Sequence, residues 1–302
     1  MQRPARISSM ALILKQGNTE AAAEAVAVRR MLEERGVVVH QAVHGQDCPG
    51  CDDLPPVDML LAFGGDGTVV SLGRVMLGRG IPLAGLNFGR VGFLAELTRD
   101  TWRPALERAL EQGFLIEERM SLAFSLRRGG QEIHSGEVIN DVVVTRGKLA
   151  RLVRLELAVD DKPFMFLRSD GLILSTPTGA TGYSCSAGGP LLQPGLNAYV
   201  VAAICPFLSS FPPMVLNPST SFSVTVGEGG TNLYVTLDGQ ETHAMEVGDC
   251  LHVHGRPGRH LTASLGTTGY FERLRSVGFV QESASARPGA SGVSGPSGTG
   301  ER

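Results

Sequence analysis

The chain has 302 residues, 42% of them hydrophobic and 19% charged, with a formal net charge of −3 at neutral pH. That length gives room for two domains, each able to bury its own core, and the composition is that of a globular protein. The charge balance gives no support for nucleic acid or an anionic membrane as the main partner. The longest apolar region, Tyr199 to Leu216, is broken by Pro206, Pro212 and Pro213, so no membrane span is expected. Met1 to Arg6 shows no signal-peptide pattern, and five cysteines, an odd number, fit a reducing cytoplasm.

Ile7 to Lys15 reads as the first strand. Asn18 is placed to cap a helix from Thr19 to Arg35, which Gly36 closes. Val37-Val38-Val39 is a second short strand, followed by a polar loop from His44 to Pro56. Within that loop Cys48-Pro49-Gly50-Cys51, with His40 and His44 upstream, has metal-like spacing. A structural zinc needs four converging side chains, and the Pro-Gly-Asp setting reads more simply as an exposed loop.

The buried run Asp58-Met59-Leu60-Leu61 then leads into Ala62-Phe63-Gly64-Gly65-Asp66-Gly67-Thr68, and Val69 to Leu77 has helical spacing. Glycines at a strand-to-helix handover suit a phosphate, because the first helical N–H groups are unpaired and the helix dipole is positive there. Gly64, Gly65 and Gly67 are expected to allow left-handed backbone and close ligand approach. Asp66 stands out, since a carboxylate beside phosphates is repulsive unless it holds a metal or takes a proton. Taken alone, the motif is equally a turn with aspartate as helix cap.

Ile81 to Leu86 is another buried strand, ending at Asn87-Phe88-Gly89-Arg90-Val91-Gly92-Phe93-Leu94, and Thr101 to Gln112 is a helix. This grammar predicts an α/β domain over residues 1–115, with a Rossmann-like parallel sheet and a ligand crevice outside the carboxyl ends of its strands. Period-two alternation takes over from Met120. The runs are Ser121–Arg127, Glu137–Thr145, Leu152–Asp160, Phe164–Leu174, Phe222–Val226, Leu233–Leu237 and Leu251–His254. Residues 116–265 are therefore expected to be a mostly β domain, residues 266–282 a segment returning to the first domain, and residues 283–302 a disordered tail.

The densest polar pattern is Arg168-Ser169-Asp170-Gly171, a buried Leu172–Leu174 strand, and then Ser175-Thr176-Pro177-Thr178-Gly179-Ala180-Thr181-Gly182-Tyr183-Ser184-Cys185-Ser186-Ala187-Gly188-Gly189-Pro190. Thr181, Tyr183, Ser184 and Ser186 can donate to a ligand rich in ribose and amide acceptors. Asn140-Asp141 places an amide and a carboxylate beside a strand, and Asp238-Gly239-Gln240 is a tight turn presenting another amide. Either alone reads as a turn.

In this order the blocks Gly64–Thr68, Asn87–Leu94, Asn140-Asp141, Asp170–Pro190 and Asp238-Gly239-Gln240 resemble the NAD kinases of bacteria. The glycine block is shared with lipid kinases and phosphofructokinases; the Thr-Pro-Thr-Gly-x-Thr-x-Tyr-Ser block is far more specific. The resemblance implies transfer of the terminal phosphate of ATP, or of polyphosphate, to the adenosine ribose 2′-hydroxyl of NAD. It implies an α/β domain followed by a β-sandwich, with Mg²⁺ or another divalent ion accompanying the donor, and a homo-oligomer (dimer or tetramer). Carried over residue by residue, it makes Asp66 the general base, with Gly64, Gly65, Gly67 and Thr68 around the phosphates. Asn140 and Asp141 would bind the NAD riboses. Arg168, Asp170, Thr181, Gly182, Tyr183, Ser184, Cys185, Ser186 and Gln240 would line the dinucleotide pocket, and Arg151 falls where the family often has a basic contact.

The residue types fit that chemistry, since phosphoryl transfer needs positioning and charge neutralisation, and no Walker lysine follows the glycines. The chain departs from the family where Asp141 replaces a commoner Glu, where Ala180 and Gly182 stand for Ser and Ala, and where no His follows Pro206. Two other readings share some of the residues. A diacylglycerol-type lipid kinase would have a similar glycine block but an apolar acceptor pocket, against which the hydroxyl-rich loop speaks. A non-catalytic NAD-binding protein would not need Asp66.

Overall fold

The computed structural model describes residues 3–45, 54–88, 92–147, 152–208, 210–228, 232–265 and 269–280. The Cys48–Cys51 pair, Arg151 and the tail from residue 281 lie outside them. Residues Met1–Thr267 make one compact unit and Thr268–Arg302 a second.

The first unit begins with β1 (Arg3–Ala5), β2 (Ser9–Lys15), α1 (Thr19–Glu34), β3 (Val38–His44), β4 (Met59–Phe63), α2 (Asp66–Val75), β5 (Leu83–Leu86) and α3 (Trp102–Gln112). Strands then dominate: β6 (Phe114–Arg128), β7 (Gln131–Val138), β8 (Asp141–Arg146), β9 (Val153–Val159), β10 (Lys162–Ser169) and β11 (Gly171–Ser175). After a 3₁₀ turn at Gly179–Thr181 and the one-turn α4 (Tyr183–Ser186) come β12 (Tyr199–Ile204), β13 (Met214–Leu216), β14 (Phe222–Val226), β15 (Leu233–Leu237), β16 (Glu241–Met245) and β17 (Cys250–Ser264). The second unit holds α5 (Tyr270–Val277), whose Glu272 carboxylate accepts from the Gly269 N–H and which Gly278 closes in the left-handed region.

Every residue of β4 and β5 is buried, as expected of parallel strands covered on both faces. They lie in the parallel order β3-β2-β4-β5. Asn18 caps α1 by accepting from the Ala21 N–H, and Ala21, Ala25, Val28, Met31 and Leu32 turn inward at helical spacing. They pack with Met10, Leu12, Phe63, Trp102 and Leu106 in the α/β core. A second core is shared by the faces of two sheets, with Leu122, Phe222 and Val253 meeting Val142, Leu172 and Val235. The architecture is thus an α/β part followed by a largely β sandwich.

The α/β part and the sandwich share a strand. β17 pairs in parallel with β5 at Thr262–Leu83, antiparallel with β6 at residues 250–256 and 260–264, and antiparallel with β14 at residues 250–253. A single 11-stranded sheet results, while β13-β12-β11-β8-β15-β16 form a separate six-stranded one. Two runs predicted as single strands are broken. Phe164–Leu174 splits at Asp170 into β10 and β11, which lie in different sheets. Glu137–Thr145 splits at Ile139-Asn140, because the Asp238 carboxylate takes the N–H groups of Ile139, Asn140 and Asp141 that a ladder would have used.

Candidate active site

The glycine turn joins β4 to α2. Gly65 precedes the helix in extended backbone (φ −79°, ψ −172°), and Asp66 is the first helical residue. None of Gly64, Gly65 or Gly67 takes a positive φ, contrary to the expectation of left-handed backbone. Close packing is what requires glycine at Gly64, where an added Cβ would lie 2.3 Å from Thr68 Oγ1. At Gly67 an added Cβ would meet nothing within 4 Å, so the turn is open above that residue.

The Asp66 carboxylate is held by backbone. Oδ2 accepts from the Phe93 N–H at 2.7 Å, and Oδ1 from Leu94 and Ala95, each at 3.0 Å. A Cβ on Gly92 would fall 2.1 Å from Oδ1, so that glycine is needed for the loop to close over the acid. A carboxylate offers about four acceptor positions, two on each oxygen. Oδ1 has filled both of its positions, whereas Oδ2 has filled one.

Across the site three turns lock together. The Asp238 carboxylate accepts from Ile139 (3.0 Å), Asn140 (2.7 Å) and Asp141 (3.0 Å), and its own N–H donates to the Asp141 carbonyl at 2.9 Å. Thr176 donates from its N–H to the Asn140 carbonyl (2.8 Å) and from Oγ1 to the Ile139 carbonyl (2.6 Å). Gly179 lies so near Asn140 that a Cβ would come within 2.4 Å of its carbonyl oxygen. Burial, then the negative charge of Asp238, push the Asp141 carboxyl up to about 7. The Asn140 side-chain oxygen is buried without a partner.

Gln240 ties this cluster to the glycine turn, its Nε2 donating to the Gly67 carbonyl at 3.2 Å. Beside that bond a cavity of about 530 Å³ is lined by Lys15, Gln16, His44, Gly65, Gly67, Thr68, Ser71 and Gln240. Lys15 and His44 end β2 and β3, so the cavity lies at the carboxyl ends of parallel strands, where the sheet grammar places a crevice. Burial and the neighbouring Lys15 charge hold His44 below the usual imidazole range. Sequence reasoning located this crevice without assigning Lys15, His44 or Ser71 to it, although strand ends were the available signal.

Other expected residues are placed as follows. The Asp170 carboxylate accepts from Arg146 Nε at 2.6 Å, and Arg168 stacks over Phe207 with its guanidinium carbon 5.5 Å from the ring centre. Tyr183 is 46% exposed, and Gly182 and Ser186 are exposed with it. Thr181 and Cys185 are half-buried. Ser184 is fully buried with its hydroxyl unpaired and Gly189 packed against it, so its side chain faces inward. Among the described residues no group of three or more His, Cys, Asp or Glu side chains gathers as a metal cage, and no helix is long and apolar enough to cross a membrane.

Residues 50–114 match the model of the ATP-NAD kinase N-terminal domain, and residues 139–260 that of the ATP-NAD kinase C-terminal domain. The chain is 42% identical over 288 residues to an NAD kinase of Nitratidesulfovibrio vulgaris, covering 92% of this chain and 99% of that one. It is 40% identical over 252 residues to an NAD kinase of Geobacter sulfurreducens, covering 81% and 89%. Among solved structures, yeast NADH kinase complexed with NADH superposes with a TM-score of 0.74 at 21% identity, covering 91% of this chain and 87% of that one. The Archaeoglobus fulgidus NAD kinase in complex with ATP gives 0.70 at 23% identity, covering 89% and 100%. These last two show the shared fold. With both family models matched in order and relatives above 40% identity along nearly the whole length, the chain belongs to the NAD kinase family.

Proposed function

We propose that this member of the NAD kinase family transfers the terminal phosphate of ATP or polyphosphate to the adenosine ribose 2′-hydroxyl of NAD, with Asp66 as the base. The carrying observation is the Gln240–Gly67 hydrogen bond, which sets the Asn140-Asp141 and Asp238–Gln240 turns against the phosphate turn. NAD lies along Asn140, Asp141, the 181–186 segment and Gln240, with Arg168 and Asp170 flanking it. Donor phosphates occupy the cavity of Lys15, His44, Thr68 and Ser71 at the start of α2. The open position on Asp66 Oδ2 accepts the hydroxyl proton. The ribose oxygen then bonds to the terminal phosphorus as the bond from phosphorus to the bridging oxygen breaks.

A divalent ion such as Mg²⁺ accompanying the donor would supply charge that offsets the repulsion between the phosphates and Asp66. That fits a site whose Asp66 carboxylate is already engaged by backbone N–H groups. The reading also takes the protein as a cytoplasmic homo-oligomer, in keeping with free thiols at Cys185, Cys205 and Cys250.

The test is a coupled assay with purified protein, Mg²⁺, NAD and either ATP or polyphosphate, with NADP read by an NADP-specific dehydrogenase. Turnover with NAD and none with diacylglycerol is expected. Phosphorylation of the lipid in place of NAD would refute the reading.

A further inference from the structure

α2 lies unusually close to the turn that carries Asn140 and Asp141. A Cβ on Gly73 would fall 2.6 Å from Ile139 Cδ1 and 3.1 Å from His260 Cε1, so the helix is pressed onto Ile139 at that point. The next residue is Arg74, two helical turns beyond Asp66. Its Nη2 donates to Glu241 Oε2 at 2.7 Å, its Nε lies 3.6 Å from Asp238 Oδ2, and its side chain is one-fifth exposed.

Asp238 itself is held under demanding conditions. Its side chain is wholly buried, and its backbone is left-handed (φ 52°), as is usual for aspartate before glycine in a tight hairpin turn. Burial pushes its carboxyl above the usual value, against the pull of three N–H groups and Arg74. A buried carboxylate needs hydrogen bonds and a counter-charge to stay ionised, and among the described residues Arg74 is the basic side chain paired with it. Loss of that charge would loosen the grip on Ile139, Asn140 and Asp141, whose N–H groups bond best to an ionised acceptor.

We propose that Arg74 is a positioning residue: by pairing with Asp238 and Glu241 it clamps the β15–β16 turn to α2, and so fixes the dinucleotide-binding turns relative to Asp66. The Gln240–Gly67 bond holds the N-terminal end of the same helix face, and Arg74 holds it two turns further on. His243, whose Nε2 lies 2.6 Å from Glu241 Oε1, and His134, stacked on it at 3.8 Å between ring centres, extend the clamp to β7 in the other sheet. The inference rests on the reading of Asn140 and Asp141 as NAD contacts.

The test uses the full-length protein with Arg74→Met, Arg74→Lys, Asp238→Asn, the Met/Asn double variant, and Asn140→Ala. Arg74→Met should raise KM for NAD roughly tenfold or more, the scale of a lost hydrogen bond to a charged group, and leave KM for ATP within about twofold. Arg74→Lys should recover part of that loss. Because Arg74 acts in part through the Asp238 charge, adding Arg74→Met to Asp238→Asn should cost clearly less than Arg74→Met costs in the wild type, the remainder being its bond to Glu241. An unchanged KM for NAD in Arg74→Met, or full additivity in the double variant, would overturn the proposal. Should Arg74→Met fail to fold, Arg74→Lys decides, because an ammonium cannot span both carboxylates as the guanidinium does; an unchanged KM there would count equally against it. If Asn140→Ala alone leaves KM for NAD unmoved, the underlying NAD reading fails instead.

Discussion

The Asp66 carboxylate and the Phe93 N–H are joined at 2.7 Å, with Leu94 and Ala95 completing the hold. The acid on the glycine turn is therefore aimed by the loop after β5, and the two segments work as one device. This relationship leads to the first prediction. Asp66→Asn should still bind NAD but lose ~10²–10⁴-fold in kcat, the usual worth of a positioned general base. Gly92→Ala, which drives a methyl into Oδ1, should also lower kcat with a much smaller change in KM for NAD. Steady-state kinetics of both variants check this, and near-normal kcat in Asp66→Asn would remove the acid from the chemistry.

A second prediction concerns Asp141. Its folded-state pKa of about 7 lies above the ordinary carboxylate value, so the native state holds this proton more tightly than the unfolded chain. The favourable contribution is complete below the unfolded value near 4 and declines as pH rises to about 7. Asp141→Asn should consequently raise the melting temperature more at pH 8 than at pH 5. Parallel pH profiles for wild type and variant would contradict the raised pKa.

His260 gives the opposite sign. Complete burial, then the nearby Arg119 charge, lower its pKa to about 3. The unfolded state therefore gains a proton before the native state does, and stability falls as pH drops from about 6.5 toward 3. His260→Leu should flatten that acid limb in melting temperatures recorded across the range, whatever its effect at neutral pH.

For the donor side, Lys15→Met should raise KM for ATP several-fold while KM for NAD stays within about twofold, since the cavity proposed for the donor phosphates loses a cation. Isothermal titration with ATP and with NAD separately would reveal the difference. A larger effect on NAD than on ATP would exchange the assignments of the two pockets.

The legible parts of the fold and site were those written in local sequence. The glycine turn shows itself because a buried strand stops at Phe63 and helical spacing starts after Asp66. Asn140-Asp141 and Asp238–Gln240 are recognisable as polar turns beside apolar strands. What Asp238 does was not legible, because its partners are N–H groups about a hundred residues earlier in the chain. Arg74 was hidden for a related reason, since on a helix it reads as an ordinary solvated cation until Gly73 is seen pressed against Ile139. The strand break at Asn140 does leave a trace in the sequence, since alternation lapses at Val138-Ile139-Asn140-Asp141, two apolar residues followed by two polar ones. Ser184 has the hydroxyl of a ligand contact, yet packing against Gly189 turns it inward.

The strand shared by both parts of the first unit has a mechanical corollary. Two lobes tied by a linker can swivel freely, but here β6 and β17 both run through the two parts, so relative motion must bend paired strands. The pairing of β17 with β6 slips between Arg256 and His260, with Gly258 in left-handed backbone, so residues 257–259 lack ladder partners on β6. Amide exchange should be faster at residues 256–260 than at 250–255, and should slow there when NAD and ATP are both bound.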